Sequence, residues 1–173
     1  QYFNTGNVHV TTNAIANTTN DALYQTERFG NITYRIPVEA GKYRVNLHFA
    51  EIYWTAVNAR LFNVSVESQF SKTNIDLFKD YGGYTAGVLV ADNIQVNDGF
   101  LDIVLTTLKD NAKISGISID KYDVIVVPPD PTDTLDVPCE TCVTLKGDKG
   151  DTPKVTVGTT TTIQPGLPAK VIE

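Results

Sequence analysis

Apolar and polar residues alternate one for one in run after run of this chain, and that period of two constrains its fold more than any other feature. The longest run is residues 42–49, with Tyr43, Val45, Leu47 and Phe49 on one face and Lys42, Arg44, Asn46 and His48 on the other. Successive strand side chains point to opposite sides of a sheet, so this run predicts a strand with one face in a core and the other in water. Similar runs occupy residues 32–38, 60–67, 87–91, 93–96, 100–105 and 114–119, with shorter ones at 8–10 and around Ile75, Leu77 and Phe78. The rest of residues 1–30 reads as loop, and no stretch sustains a 3.6-residue period. Short strands divided by turns predict an all-β chain, an antiparallel jelly-roll-type β-sandwich. Glu39-Ala-Gly41 and Asp98-Gly99, each set between alternating runs, read as hairpin turns.

Composition narrows the partners. A chain of 173 residues with 42% hydrophobic residues is long enough for a real core. Its net charge of -6 argues against nucleic acid and against anionic membrane surfaces, both of which call for a basic face. No apolar run approaches the roughly 20 residues that cross a bilayer, so no membrane insertion is expected. The chain opens on Gln1 and contains no Met, and is expected to be a piece of a longer protein. Residues 1–122 read as one domain. Residues 123–146, rich in proline and acid, read as a linker carrying Cys139 and Cys142 in a C-x-x-C spacing. That pair is either a small-loop disulfide or two free thiols, since His9 and His48 lie too far along the chain to complete a zinc site. Residues 147–173 read as a short Gly/Thr-rich stalk piece or the start of a following β-module.

Where the alternation of residues 42–49 ends, Tyr53 and Trp54 stand side by side. Neighbouring strand residues face opposite ways, so both cannot enter the core if the strand continues. Trp54 is the single tryptophan of the chain. The pair is either a plug beneath a loop or a platform on which a ligand stacks. Tyr81 and Tyr84, flanking Gly82-Gly83, read as a flexible turn displaying two tyrosines, either a further rim or plain loop residues. His48, on the polar face, suits a cross-strand hydrogen bond. Asp76, Asp80 and Asp92 offer oxygens for calcium, but their spacing matches no loop motif, so no cofactor is assigned. Asn17, Asn31 and Asn63 head Asn-x-Ser/Thr sequons. Glu51 and Asp110 are two carboxylates of the kind that flank a scissile glycosidic bond, with nothing in the sequence to fix their separation.

Five blocks carry a family resemblance: L-Y-Q-T-E-R-F at 23–29, Y-R-I-P-V at 34–38, G-K-Y at 41–43, L-H-F-A-E-I-Y-W at 47–54 and L-F-N-V at 61–64. In this order they are similar to malectin and malectin-like domains over roughly residues 1–120. The resemblance implies a β-sandwich that binds oligosaccharide, with glucose-containing ends as the animal ligand, and does not cleave it. It implies loops at one end of the sandwich carrying four aromatics and an aspartate. Matched by motif, these are Tyr53, Trp54 where the family has Phe, Phe29 where it has Tyr, Asp110, and Tyr2 near the start. The expected function is therefore a non-catalytic carbohydrate-binding module of a secreted or cell-surface modular protein, alongside other domains. The alternative is a structural or adhesive spacer with a protein or peptide partner and a vestigial sugar pocket.

Overall fold

The computed structural model describes residues 2–122 and the backbone of residues 157–163. Its elements are β1 (Asn7–Val10), α1 (Asp21–Tyr24), β2 (Thr26–Phe29), β3 (Ile32–Pro37), β4 (Gly41–Phe49), β5 (Leu61–Val66), β6 (Phe70–Ile75), α2 (Leu77–Tyr81), β7 (Gly87–Val96), β8 (Phe100–Lys109), β9 (Lys113–Ile114), β10 (Gly116–Tyr122) and β11 (Val157–Ile163). Two four-stranded antiparallel sheets, in the orders β11-β10-β4-β7 and β3-β8-β5-β6, share one core, and a third sheet has the order β1-β2-β9. The chain is thus the all-β antiparallel sandwich that its alternation predicts. Tyr43, Val45, Leu47 and Phe49 of β4 meet Phe62, Val64 and Val66 of β5 and Leu101, Ile103 and Leu105 of β8 in that core. Each such side chain contributes about 1.5–3 kcal/mol by leaving water.

The expected hairpins at Glu39–Gly41 and Asp98–Gly99 are corners instead. β3 pairs with β8 while β4 pairs with β7 and β10, so each turn carries the chain from one sheet to the other. Turn residues dictate a reversal, not which sheet receives the next strand. The two corners lie together, with Val38 N–H donating to the Gly99 carbonyl at 3.0 Å. The runs 87–91 and 93–96 form one strand, because a bulge opposite Tyr43 and Val45, with Asn93 at φ 56°, lets Ala91 and Ile94 both face inward.

Three further expectations give way. The strand anticipated around Leu77 and Phe78 is α2, which Asp76 caps by accepting from Lys79 N–H at 3.1 Å. Tyr81 at its end packs against the core and lies over Gly87, where an added Cβ would meet the ring at 2.5 Å. Tyr84 packs on a second cluster formed by Ile15, Leu23, Tyr24, Ala50, Ile52 and Ala86, so neither tyrosine is displayed on a flexible turn. Residues 21–29 contain α1 and β2 rather than loop. Among the described residues no three carboxylate or imidazole groups gather as a metal site would require; Asp76 caps α2 and Asp92 pairs with Arg44 at 3.1 Å. Cys139 and Cys142 and the linker at 123–146 lie outside the described residues. From the stretch 147–173 the structure describes β11, antiparallel on β10. Among the described residues no helix is long and apolar enough to cross a membrane.

On the outer face of β4, His48 binds Tyr24 OH at 2.9 Å through Nδ1 and Ser118 Oγ at 3.1 Å through Nε2. Burial holds its pKa below the ordinary 6.5, against an opposing pull from Asp120. Below pH 6.5 the unfolded chain takes up a proton that the native one refuses, so stability falls as pH falls through that window. Thermal midpoints at pH 7.5 and about 5.5 will therefore drop more for the wild type than for His48→Gln. Equal drops would show that His48 does not carry this linkage.

Candidate functional site

Past β4, residues 50–52 stay buried while Tyr53, 60% exposed, and the half-buried Trp54 emerge. The agent of that turn is Glu51. Ala50 and Ile52 enter the second cluster, and the carboxylate between them receives the next two amides: Oε1 accepts from Tyr53 N–H and from Trp54 N–H, each at 3.0 Å. Its Oε2 accepts from Arg60 Nε at 2.8 Å. Arg60 closes the same loop and is only 4% exposed. Its Nη1 reaches the Asn111 carbonyl at 2.5 Å and Asp110 Oδ2 at 3.1 Å. Asp110, the residue after β8, lies in the left-handed region at φ 57°, which Asp tolerates better than most residues. Onto the same Oδ2 the Trp54 indole Nε1–H donates at 2.9 Å. Sequence positions 54 and 110, from separate loops, thus meet through one hydrogen bond.

Below them lies a layer of buried charge. Lys113 of β9, fully buried, directs its ammonium to the Glu27 carboxylate and to the Ala50 carbonyl. Burial lowers its pKa, partly offset by Glu27 and Glu51. Burial raises the Glu51 pKa, but Lys113 and Arg60 outweigh it and hold the carboxyl below the ordinary value. At Asp110 burial likewise pushes up, and the Trp54 bond, the Asn111 amide and Arg60 together carry the net shift downward. The middle of the 53–60 loop is fastened too. Asn58 N–H donates to Asp76 Oδ2 at 2.6 Å, and Lys109 Nζ to the Asn58 carbonyl at 2.5 Å.

The Tyr53 and Trp54 rings meet edge to face at 5.1 Å and 86°. His9 of β1 stands edge-on to Tyr53 at 5.7 Å and 87°, a neighbour that sequence reasoning missed. Phe29, half-buried, ends β2 opposite Lys113, and the next amide, Gly30 N–H, donates to the Ala112 carbonyl at 2.8 Å. By register Phe29 shares a sheet face with Glu27 and with His9, the residue that meets Tyr53. Tyr2 is not brought there. Its carbonyl accepts from Arg35 N–H at 2.8 Å and its ring packs on the main core along β3, because the N-terminal residues run beside that strand. Arg60 and Glu51 as its anchor were also missed, since no motif marks a buried ion pair nine residues apart.

Tyr53, Trp54 and Asp110 thus form an aromatic ledge with a fixed acceptor at its edge. Glu51, only 1% exposed and with both oxygens occupied, has no face toward a ligand. It and Asp110 therefore do not flank an open bond as a hydrolytic pair would.

The family model described as Malectin domain matches residues 1–124. The chain is 32% identical over 124 residues to kinesin-like protein KIN-14Q of Arabidopsis thaliana, covering 69% of this chain and 9% of that protein. It is 34% identical over 74 residues to malectin of Homo sapiens, covering 41% of this chain and 25% of malectin. The chain therefore spans a quarter or less of these relatives' length. In structure it is similar to a Bacteroides uniformis beta-glucuronidase (TM-score 0.63, 21% identity, 70% of this chain and 14% of that one). It is also similar to the ANXUR1 extracellular domain of Arabidopsis thaliana (TM-score 0.60, 18% identity, 70% and 40%). These structural likenesses speak for the fold alone, whereas the match across residues 1–124 speaks for descent: the chain belongs to the malectin domain family, a family of carbohydrate-binding domains.

Proposed function

We propose that residues 1–122 are a non-catalytic carbohydrate-binding module that takes neutral oligosaccharide ends on the ledge of Tyr53 and Trp54, with Asp110 accepting a sugar hydroxyl. The bond from Trp54 Nε1 to Asp110 Oδ2 carries this reading. It fixes a carboxylate at the rim of a flat apolar ring, which is the pairing a pyranose needs: C–H surface on a ring face, hydroxyls toward an acceptor. A free aspartate carboxylate can accept two hydroxyls, one on each oxygen. With Oδ2 occupied by Trp54 and Arg60, the oxygen left for a sugar is Oδ1, whose neighbour is Asn111 Nδ2 at 3.3 Å. Phe29 and His9 wall the side toward the small sheet. The setting is a longer secreted or surface protein, with residues 123–146 as linker and 147–173 as a stalk piece or the start of a following β-module, whose strand β11 lies antiparallel on β10.

Two outcomes test the reading. On a glycan array, wild-type chain will bind neutral oligosaccharides, and Trp54→Ala will weaken that binding about tenfold or more, the scale of a lost aromatic contact with its buried area. Its far-ultraviolet circular dichroism will be unchanged. No binding to any glycan would favour a spacer with a protein partner instead. Second, an oligosaccharide ending in a uronic acid will bind several-fold more weakly than its neutral counterpart, because two carboxylates then meet while the Arg60 charge is buried out of reach. Asp110→Asn will narrow that gap. A gap that survives Asp110→Asn would remove the aspartate from the site.

A further inference from the structure

We infer that Arg60, which no ligand can reach, is the positioning residue that makes the aromatic ledge and the carboxylate one pre-formed unit. The inference rests on the reading of this end as a sugar site, but its geometry does not. Three loop-borne groups need fixed mutual places: the Tyr53-Trp54 step, the Asp110 carboxylate and the backbone at Asn111. Arg60 connects all three. Nε holds Glu51 Oε2 at 2.8 Å, while Glu51 Oε1 holds the amides of Tyr53 and Trp54. Nη1 holds Asp110 Oδ2 at 3.1 Å and the Asn111 carbonyl at 2.5 Å.

The chemistry demands a guanidinium. Its planar fork donates in two directions from a fixed frame, whereas an ammonium is a single point charge on a flexible stem. A lysine here satisfies Glu51 or Asp110, not both with the same geometry. Burial makes the strut stiff as well, since water does not compete for its donors. The same charge helps keep Asp110 ionised, and an ionised Asp110 is what accepts the Trp54 indole N–H. Remove Arg60 and Asp110 loses a partner on Oδ2, the Trp54 bond loosens and ring and acceptor drift apart.

The chain contains one tryptophan, so the protein carries its own reporter: a single indole N–H resonance, read without any ligand. Two variants of the full chain are compared with wild type, Arg60→Lys and the double variant Arg60→Met/Glu51→Gln, in which the buried carboxylate no longer faces an empty place. In whichever folds, by dispersed amide spectra and a cooperative thermal transition, the indole resonance will shift and exchange faster with solvent. Glycan affinity will fall about ten- to a hundredfold, the range for losing charge-assisted hydrogen bonds. A residue that merely stabilised the fold would lower the thermal midpoint and leave the indole resonance in place; that result overturns the inference. Failure of wild type to bind any glycan would strike the functional reading alone, because the indole readings stand without it.

Discussion

Charge buried at one end of the sandwich is the constraint on which the rest of this structure turns. Glu51 with Arg60, and Glu27 with Lys113, lie out of water beside the loops that display Tyr53 and Trp54. Taking such groups out of water is expensive, and apolar side chains of similar volume often serve stability as well or better. Losing one partner alone costs about 3–5 kcal/mol, because its mate is left charged and unpaired. The arrangement is therefore a poor way to gain stability and a strict way to specify geometry. An apolar filler could close the same space, but it could not present an oriented carboxylate at the surface while also receiving two backbone amides.

That geometry is useful only if the loops begin from fixed points, and the sandwich supplies them. Each sheet sends strands to both ends, and the end away from the site is closed by the two corners joined from Val38 to Gly99. At the site end the 53–60 loop is held at its start by Glu51, at its middle by Asp76 and Lys109, and at its finish by Arg60. A loop held at three places loses little freedom when a ligand arrives, so less of the interaction energy goes into ordering it.

The sequence discloses this structure unevenly, and the reason is physical. Strand faces were legible because burial repeats every second residue: β4 and β5 present the side chains to the core that their alternation predicts. Sheet membership was not, since Glu39–Gly41 and Asp98–Gly99 encode only local reversals and the partners of β3 and β8 lie far along the chain. β2 was hidden because its buried residues are Glu27 and Arg28, which read as solvent-facing until Lys113 and Phe3 supply the partners that bury them. Tyr53, Trp54 and Asp110 were legible as candidates, from their residue types and the family blocks. That they touch, that Tyr2 stands apart, and that Arg60 and His9 belong beside them are facts of long-range packing, which no local pattern records.

Trp54 shows why plug and platform were a false choice. An indole has two faces and one polar edge, and a protein can use them separately. Here the edge is committed inward, donating to Asp110, while the side chain stays half-exposed beside a Tyr53 that is mostly in water. Anchoring the edge removes the rotational freedom that a displayed ring would lose on stacking. The same bond spends one carboxylate oxygen and leaves the other beside Asn111 Nδ2. A phenylalanine at this position would offer the same kind of faces and no such bond, leaving Arg60 alone to orient the acid. The tryptophan therefore adds to the site not area but angle.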